Sequence, residues 1–378
     1  MSVFGTRPDT IKMAPVVQAL AADPNVDSLV CVTAQHRKML DDLLDLFGIV
    51  PDYDLDIMTP DQTLTDITTR VLSGMAEVFA GTQPDVVLVH GDTTTSTSAA
   101  LAAFYRQIPV GHVEAGLRTN DRWSPYPEEM NRRLTGTLGS YHFAPTPLAK
   151  AHLLAENVDP AEIFVTGNTV IDAFLATARR PDLQPPRGWE RLDPARPVIL
   201  VTAHRRENQP FMAEMCEAMA RILLLPSKPQ ILWPVHPSPH VRPIAERVLG
   251  NLPGAVLIDP IDYAAMVAAV RDCTFVLTDS GGLQEEAPCL GKPVLVMREE
   301  TERPEGLKAG TLALVGHDGN RIFEAAGRLL GDRPTFERMA RANNPYGDGR
   351  AAERIVRWLL ARHRGGQFPA AFGAEAAA

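Results

Sequence analysis

Short runs of consecutive apolar residues alternate along the chain with polar loops and helix-like segments. Early runs rich in Val, Ile and Leu lie within residues 28–48, 85–107, 109–117, 140–158 and 162–178. Runs without polar alternation are typical of strands buried on both faces of a parallel sheet. The same pattern restarts at residue 197 and continues to about residue 330. It predicts an α/β fold with two successive doubly wound domains.

A proline-rich segment without clear period, residues 179–197, separates the two sets of runs and is interpreted as a linker. We therefore expect an N-terminal Rossmann-like domain over 1–178 and a C-terminal one over 198–364, whose last helix packs back on the first domain. Residues 365–378 are expected to form a loose tail. Ligands of such sheets bind beyond the carboxyl ends of the strands, so two facing sheets predict a central cleft.

Net charge, cysteine content and the lack of long apolar runs exclude several classes of function. The 378 residues carry 37 Lys and Arg against 46 Asp and Glu, a net charge of −9, which argues against a nucleic-acid coat protein. Four scattered cysteines suggest a reducing compartment and no structural zinc site. No signal peptide and no apolar run of membrane-spanning length is apparent. We expect a soluble cytoplasmic protein without membrane or nucleic-acid partners.

Reactive side chains cluster directly after the apolar runs. They include Arg7, Lys12, Asp92, Glu114, His204, His236 and the stretch Asp279–Gly282, with the loop 124–133 adding further acids and arginines. The dinucleotide, P-loop, nucleophile-elbow and zinc-protease motifs are absent, which argues against a nicotinamide enzyme and a P-loop kinase.

Two local patterns carry the most information. In FVLTDSGGLQEEAP a strand ends, Ser280 is placed to cap a helix, and two glycines allow a close approach of backbone to an anion. Plain helix capping is the simpler interpretation of this turn. Glu114 lies in an otherwise apolar run, where an unpaired carboxylate would cost several kcal/mol. Arg118 or Arg7 is its expected partner if its role is structural.

Longer motifs extend this picture over nearly the whole chain. They are FGTRPDTIKMAP, TAQHRKMLDDLLDLFGI, PDVVLVHGDTTT, VGHVEAGLRT, SPYPEEMNRRL, GNTVID, VTAHRREN, PVHPSP, LTDSGGLQEEAP, LGKPVLVMREETERPEG and NPYGDG. Together they resemble the non-hydrolysing UDP-N-acetylglucosamine 2-epimerase family. The resemblance implies a GT-B-like fold, a homodimer, and interconversion of UDP-GlcNAc and UDP-ManNAc without nicotinamide or metal. The product of such enzymes feeds cell-surface polysaccharide biosynthesis.

The resemblance also implies a mechanism, anti elimination of UDP to 2-acetamidoglucal followed by re-addition. The acidic residues of the family correspond to Asp92, Glu114 and Glu128 in this chain. The resemblance implies that they transfer protons at C2 and stabilise an oxocarbenium-like transition state, but it does not assign these roles to individual residues. His204 joins the catalytic set as the residue that holds the diphosphate. The other implied UDP contacts are Arg7, Lys12, Arg206, His236, Ser280, Gly281, Gly282 and Glu286.

Some family members bind a second UDP-GlcNAc as an activator. Candidate residues for such a site are Gln35, His36, Arg37, Glu129 and His236. Lys38 departs from the acidic or amide residue that many members carry there, which weakens the expectation of a regulatory contact. The first strand has only about four residues before Gly5, fewer than relatives usually carry, and a central strand that short is expected to be weak.

Three alternatives remain open on the sequence. A hydrolysing epimerase would release free ManNAc and UDP, and a retaining GT-B glycosyltransferase would transfer the sugar to an acceptor without exchanging the C2 proton. A catalytically inactive UDP-sugar sensor should have lost one of the acids, yet Asp92, Glu114 and Glu128 are all present.

Overall fold

The computed structural model describes residues 1–35 and 37–373 and divides into two compact units. Unit 1 comprises Met1–Ala173 and Gly347–Ala378, and unit 2 comprises Phe174–Tyr346. Each unit is built on one parallel sheet with helices between the strands. These two doubly wound sheets confirm the predicted α/β fold class.

The strands of unit 1 are β1 (Ser2–Phe4), β2 (Val30–Val32), β3 (Tyr53–Asp54), β4 (Val87–His90), β5 (Val110–Val113), β6 (Tyr141–Ala144) and β7 (Ile163–Val165). Its helices are α1 (Arg7–Ala22), α2 (Arg37–Phe47), α3 (Leu64–Thr82), α4 (Thr94–Tyr105), α5 (Glu128–Leu138), α6 (Pro147–Ala155) and α7 (Thr169–Ala178), the last of which continues into unit 2. The first strand is short, at three residues, yet fully buried.

The strands of unit 2 are β8 (Val198–Thr202), β9 (Gln230–Pro234), β10 (Ala255–Ile258), β11 (Phe275–Thr278), β12 (Val294–Val296) and β13 (Leu312–Leu314). Its helices are α8 (Met212–Leu223), α9 (Arg242–Leu249), α10 (Tyr263–Asp272), α11 (Gly281–Glu286), α12 (Pro304–Ala309), α13 (Gly319–Gly331) and α14 (Arg333–Ala340). The final helix, α15 (Ala351–Arg364), belongs to unit 1.

The strand order fixes where each sheet can bind a ligand. The order is β3-β2-β1-β4-β5-β6-β7 in unit 1 and β10-β9-β8-β11-β12-β13 in unit 2. In both sheets the chain first moves outward in one direction and then returns to the first strand to build the other half. A crevice therefore opens beyond the carboxyl ends of β1 and β4 in unit 1, and of β8 and β11 in unit 2.

The central strands are buried on both faces, as their apolar composition requires. All four residues of β4, β5 and β11 are buried, and so are all five of β8. Apolar side chains of the flanking helices complete each core, with Trp233 of β9 wholly inaccessible in unit 2. The polar residues that follow these strands are thereby held on a rigid base.

Helix α1 begins close to the carboxyl end of β1. Pro8 lies in the first turn, and Asp9 accepts hydrogen bonds from the amides of Gly5 (3.2 Å) and Thr6 (2.7 Å). Burial raises the pKa of Asp9 to about 6, although these hydrogen bonds act in the opposite direction. Gly5 is required because a Cβ there would lie 1.8 Å from Oγ1 of Thr33. The first helix is thus locked to the end of the first strand.

Two separate helices, α14 and α15, close the chain. α14 ends at Ala340 and α15 starts at Ala351, because the intervening residues carry Asn, Pro and Gly, which break a helix. α15 packs in unit 1, where Trp358 makes edge contacts with Tyr141 (5.0 Å between centroids) and Phe143 (5.4 Å). Within residues 1–35 and 37–373, no helix has the length and apolar character needed to cross a membrane.

Candidate active-site residues of the two units

In unit 1 the central feature is a buried carboxylate at the carboxyl edge of the sheet. Glu114 directly follows β5 and has a left-handed backbone, with φ of +61°. Its Oε1 accepts a hydrogen bond from Nδ2 of Asn168 (2.9 Å) and pairs with the ammonium of Lys12 from α1. Its Oε2 lies 3.4 Å from Nε2 of His90, the last residue of β4. Three neighbouring segments therefore hold one acid side chain.

The charge state of Glu114 follows from these neighbours. Burial alone would raise the pKa of this carboxyl, but the attraction of Lys12, helped by His90 and Asn168, holds the pKa well below its usual range. Burial lowers the pKa of His90 to about 4, so its imidazole is neutral at pH 7. Unit 1 therefore presents a buried carboxylate that is ionised at pH 7 and whose charge is compensated by one lysine.

The predicted structural partner of Glu114 was wrong. Arg118 instead makes a two-point ion pair with Glu156, with Nε–Oε1 and Nη2–Oε2 distances of 2.8 and 2.7 Å. Arg7 is exposed at the start of α1. Lys12 takes the role because helix α1 starts beside β1 and its second turn passes the end of β5.

The two other predicted acids also lie in unit 1. Asp92 follows β4, and Arg132 contacts its Oδ2 through Nε (2.9 Å) and Nη2 (2.8 Å). About a quarter of the Asp92 side chain is exposed, 26%, so the carboxylate remains reachable while its direction is fixed. Glu128 is the half-buried first residue of α5. The structure thus brings Asp92 and Glu114 to the same edge of one sheet.

Glu129, a candidate activator contact, makes hydrogen bonds and ion pairs with neighbouring residues of its own chain. Its side chain is fully buried and accepts hydrogen bonds from the amides of Thr119 (3.0 Å) and Asn120 (3.2 Å). Arg132 and Arg133 contact the same carboxylate at 3.1 and 3.3 Å. These donors hold the pKa of Glu129 below its usual value despite the opposing effect of burial. This carboxylate anchors the loop that leads into α5.

The remaining activator candidates have different contacts within their own units. Oε1 of Gln35 accepts a hydrogen bond from Oγ1 of Thr95 (3.0 Å). Arg37 pairs with three acids, Asp41, Asp54 and Asp56, and its pKa is raised by the hydrogen bonds to Asp41 and Asp54. His236 belongs to unit 2, and His36 lies outside the described residues.

In unit 2 the central feature is Asp279, which follows β11 and is fully buried. Its Oδ2 accepts hydrogen bonds from the amides of His204 and Arg205, both at 2.8 Å, and from Nδ2 of Asn208 at 3.1 Å. Its Oδ1 lies 3.3 Å from Nδ1 of His204. These hydrogen bonds hold the loop after β8 against the end of β11, the two strands beyond which the crevice of unit 2 opens.

The Ser-Gly-Gly turn opens α11 next to two arginines. A Cβ on Gly281 would lie 3.7 Å from Nη2 of Arg205 and 3.8 Å from Cζ of Arg303. Nε of Arg303 also donates to the buried Glu285 at 2.6 Å. Ser280 has the backbone conformation of a helix cap, but its side chain makes no capping hydrogen bond, which corrects the sequence-based expectation. The turn thus exposes backbone amides beside guanidinium groups, a suitable setting for an anion.

The two acids after this turn have different surroundings. Glu285 is buried and paired with Arg303, whereas Glu286 is half-buried and its carboxylate lies about 3.7 Å from a Cβ placed on Gly282. Arg206 and His236 are both exposed. His236 stacks on His204 with centroids 5.9 Å apart and an interplanar angle of 18°.

Three residues of these clusters had not been singled out for a role in the site. They are His90, Asn168, which lies within the motif GNTVID, and Asp279, whose place after a strand is the only property that the sequence gives it. The available signal was their common position at or just after a buried strand of a parallel sheet. Over the described part of the chain, no group of three or more His, Cys, Asp and Glu is arranged to hold a metal ion.

The chain is similar to known proteins over nearly its whole length. The family model for UDP-N-acetylglucosamine 2-epimerase matches residues 18–360. A protein named UDP-N-acetylglucosamine 2-epimerase from Escherichia coli K12 is 54% identical over 368 residues, covering 95% of this chain and 97% of that protein. A crystal structure of a putative epimerase of this name from Listeria monocytogenes superposes with a TM-score of 0.94 at 49% identity, with 98% of each chain covered. The Neisseria meningitidis UDP-GlcNAc 2-epimerase, solved bound to UDP-GlcNAc, gives 0.85 at 45% identity, over 95% of this chain and 98% of that one.

Proposed function

Because the chain belongs to the UDP-N-acetylglucosamine 2-epimerase family, we propose that it interconverts UDP-GlcNAc and UDP-ManNAc by eliminating UDP and adding it back. It is an isomerase with a GT-B-like fold. The observation that carries the chemical part of the proposal is the buried, ionised carboxylate of Glu114, paired with Lys12 at the carboxyl edge of the unit 1 sheet.

The proposed reaction has two balanced steps. In the first, a base removes the proton from C2 of the hexose, the C1–C2 double bond forms, and the electron pair of the C1–O bond leaves with UDP. In the second, an acid delivers a proton to the opposite face of C2 while an oxygen of UDP attacks C1. The product differs from the substrate only in the configuration at C2. No oxidant or reductant is consumed.

Unit 1 carries the groups for proton transfer. Glu114 is charged and has Oε1 tied by Lys12 and Asn168, so its position is fixed before substrate arrives. Asp92, oriented by Arg132, and Glu128 complete the acidic set that acts on C2 and on the positive charge developing at C1. A positioned acid or base of this kind contributes about 10²–10⁴-fold in rate.

Unit 2 carries the groups for the nucleotide. The diphosphate is bound by His204 and by the backbone of Ser280, Gly281 and Gly282, beside the guanidinium groups of Arg205 and Arg303. Glu286 accepts hydrogen bonds from the ribose hydroxyls. Positive charge at the diphosphate stabilises the UDP that leaves in the first step. The further nucleotide contacts in this proposal are Arg7, Lys12, Arg206 and His236.

The experiment that tests the function is an incubation with UDP-GlcNAc in D₂O, followed by proton NMR. We expect UDP-ManNAc to appear and deuterium to enter C2 of both sugars. The Glu114→Gln variant serves as the matched control and should incorporate deuterium at least 100-fold more slowly. Retention of the C2 proton in the wild-type reaction would refute epimerisation by elimination.

The same spectra separate the alternatives. Free ManNAc accumulating as the main product would identify a hydrolysing epimerase. Transfer of GlcNAc to an added acceptor, with the C2 proton retained, would identify a glycosyltransferase. Binding of UDP-GlcNAc without any turnover would identify a sensor.

Three further properties belong to the proposal. We infer a homodimer, to be measured by light scattering coupled to size-exclusion chromatography. Activation by a second UDP-GlcNAc stays an open alternative within the proposal; it predicts that conversion of UDP-ManNAc accelerates when a trace of UDP-GlcNAc is added. The four cysteines, Cys31, Cys216, Cys273 and Cys289, are free thiols, which supports a cytoplasmic location for the enzyme.

A further inference from the structure

The strongest unexplained feature of unit 2 is the second oxygen of Asp279. The residue is fully buried, and its Oδ2 already accepts three hydrogen bonds, from two backbone amides and from Asn208. Its Oδ1 is also buried and, within residues 1–35 and 37–373, makes no hydrogen bond of ordinary geometry. Nδ1 of His204 lies 3.3 Å from this oxygen. A buried carboxylate oxygen thus faces a single imidazole nitrogen.

The surroundings fix both members of this pair. Asn208 donates to the carbonyl of Met297 (2.8 Å) as well as to Asp279, and the hydroxyls of Thr202 and Thr278 bond to each other at 2.6 Å. The imidazole of His204 stacks on His236, yet 43% of its side chain is exposed. The ring therefore lies beside the buried Asp279 carboxylate at one nitrogen, and nearly half of the side chain is open to solvent.

We propose that Asp279 is the positioning residue of His204: its Oδ1, 3.3 Å from Nδ1, accepts the Nδ1–H once the ring turns toward it, and Nε2 is then the nitrogen that contacts the diphosphate. The contact of Nε2 with the diphosphate rests on the proposed function, whereas the pairing of Asp279 with Nδ1 rests on the geometry of unit 2. When the ring carries a second proton, Nε2–H donates to an anionic phosphate oxygen and the carboxylate of Asp279 balances the charge. The arrangement uses each ring nitrogen for one partner.

Replacing Asp279 by Asn gives a sharp test because the amide has only one possible orientation. The three donors that now converge on Oδ2 require an acceptor, so the amide oxygen must occupy that side. The amide NH₂ then faces Nδ1 of His204 and turns this nitrogen into an acceptor. The proton of the neutral ring must move to Nε2. The variant keeps the shape of the side chain and inverts one hydrogen bond.

The first measurement is the ¹⁵N spectrum of the imidazole rings in the protein without nucleotide, with His204→Asn used to identify the His204 signals. At a pH where the ring is neutral, we expect the proton on Nδ1 in the wild-type protein and on Nε2 in Asp279→Asn. The same tautomer in both proteins would overturn the proposal. This result is independent of the catalytic reaction, so it remains informative if the D₂O experiment fails.

The second measurement is the affinity for UDP, by calorimetry, in wild type, His204→Asn, Asp279→Asn and the double variant. Loss of a charge-assisted hydrogen bond predicts about 10- to 100-fold weaker binding in each single variant. Since Asp279 acts through His204, the Asp279→Asn change should have little effect in the His204→Asn background. Equal weakening in both backgrounds would mean a merely structural role and would overturn the proposal.

A matched control separates positioning from general loosening. Asn208→Ser removes one donor from Oδ2 of Asp279 but leaves the charged Oδ1 facing His204. We expect this variant to bind UDP within about threefold of wild type and to keep the Nδ1–H tautomer. A loss as large as that of Asp279→Asn, with the tautomer unchanged, would contradict the role of Oδ1.

Discussion

The pairing of Lys12 with Glu114 leads to the most detailed prediction. In the wild-type protein this ammonium compensates a carboxylate that is almost entirely buried, with side-chain exposures of 19% for Lys12 and 5% for Glu114. Lys12→Met keeps a long apolar side chain but removes the charge. Removing one partner of a buried ion pair costs about 3–5 kcal/mol at neutral pH. At about 2–4 °C per kcal/mol, the unfolding midpoint of unit 1 should fall by roughly 6–20 °C.

The loss should depend on pH with a defined sign. In wild type the pKa of Glu114 lies below its unfolded value of about 4.3, so its stabilising contribution is present above that pH and disappears as the pH falls through the folded pKa. In Lys12→Met the effect of burial dominates and raises the pKa of Glu114 above the unfolded value. The carboxylate then destabilises the fold at pH 7 and stops doing so once it is protonated. The difference between the two proteins should therefore shrink from pH 7 to pH 4.

Scanning calorimetry at several pH values measures this difference. Lys12→Arg is the matched control, since it retains the charge, and should lose less than half as much stability as Lys12→Met. The double variant Lys12→Met/Glu114→Gln should recover most of the loss, because the uncompensated charge is gone. A deficit that is the same at pH 4 and pH 7 and that persists in the double variant would refute the electrostatic reasoning.

Three further predictions concern the same edge of unit 1. Glu114→Gln and Asp92→Asn should each lower turnover by about 10²–10⁴-fold while the fold and UDP affinity are retained, and wild-type turnover in both variants would remove their assignment. Gly91→Ala should destabilise by about 1–2 kcal/mol, because Gly91 has φ of +59° and the new methyl would lie 3.2 Å from Oε2 of Glu114; chemical denaturation measures this, and an unchanged midpoint would contradict it. Arg132→Met should lower kcat by at least about tenfold, since Asp92 loses the guanidinium that orients it; an effect confined to KM would indicate ground-state binding instead.

The sequence predicted that Glu114 is an unusual carboxylate but did not predict its partner. Its place at the end of a buried strand was sufficient to flag an unusual carboxylate, and the motif VGHVEAGLRT tied it to a family. Of the two expected partners, Arg118 is only four positions away along the chain but pairs with Glu156, and Arg7 is exposed at the start of α1. The actual partner, Lys12, lies 102 residues earlier. Local spacing cannot predict such a pair, because the strand order of the sheet brings the two segments together.

The two doubly wound sheets and the set of polar residues at their strand ends could be predicted from the order of residues alone, because buried parallel strands are continuous apolar runs and the loops that follow them are polar. Only the tertiary structure decided what each polar group contacts. The neutral His90 beside Glu114 and the contact between the Asp279 carboxylate and His204 both depend on residues distant in sequence. The physical reason is that apolar periodicity is a property of neighbouring residues, whereas charge compensation and hydrogen bonding are satisfied in three dimensions.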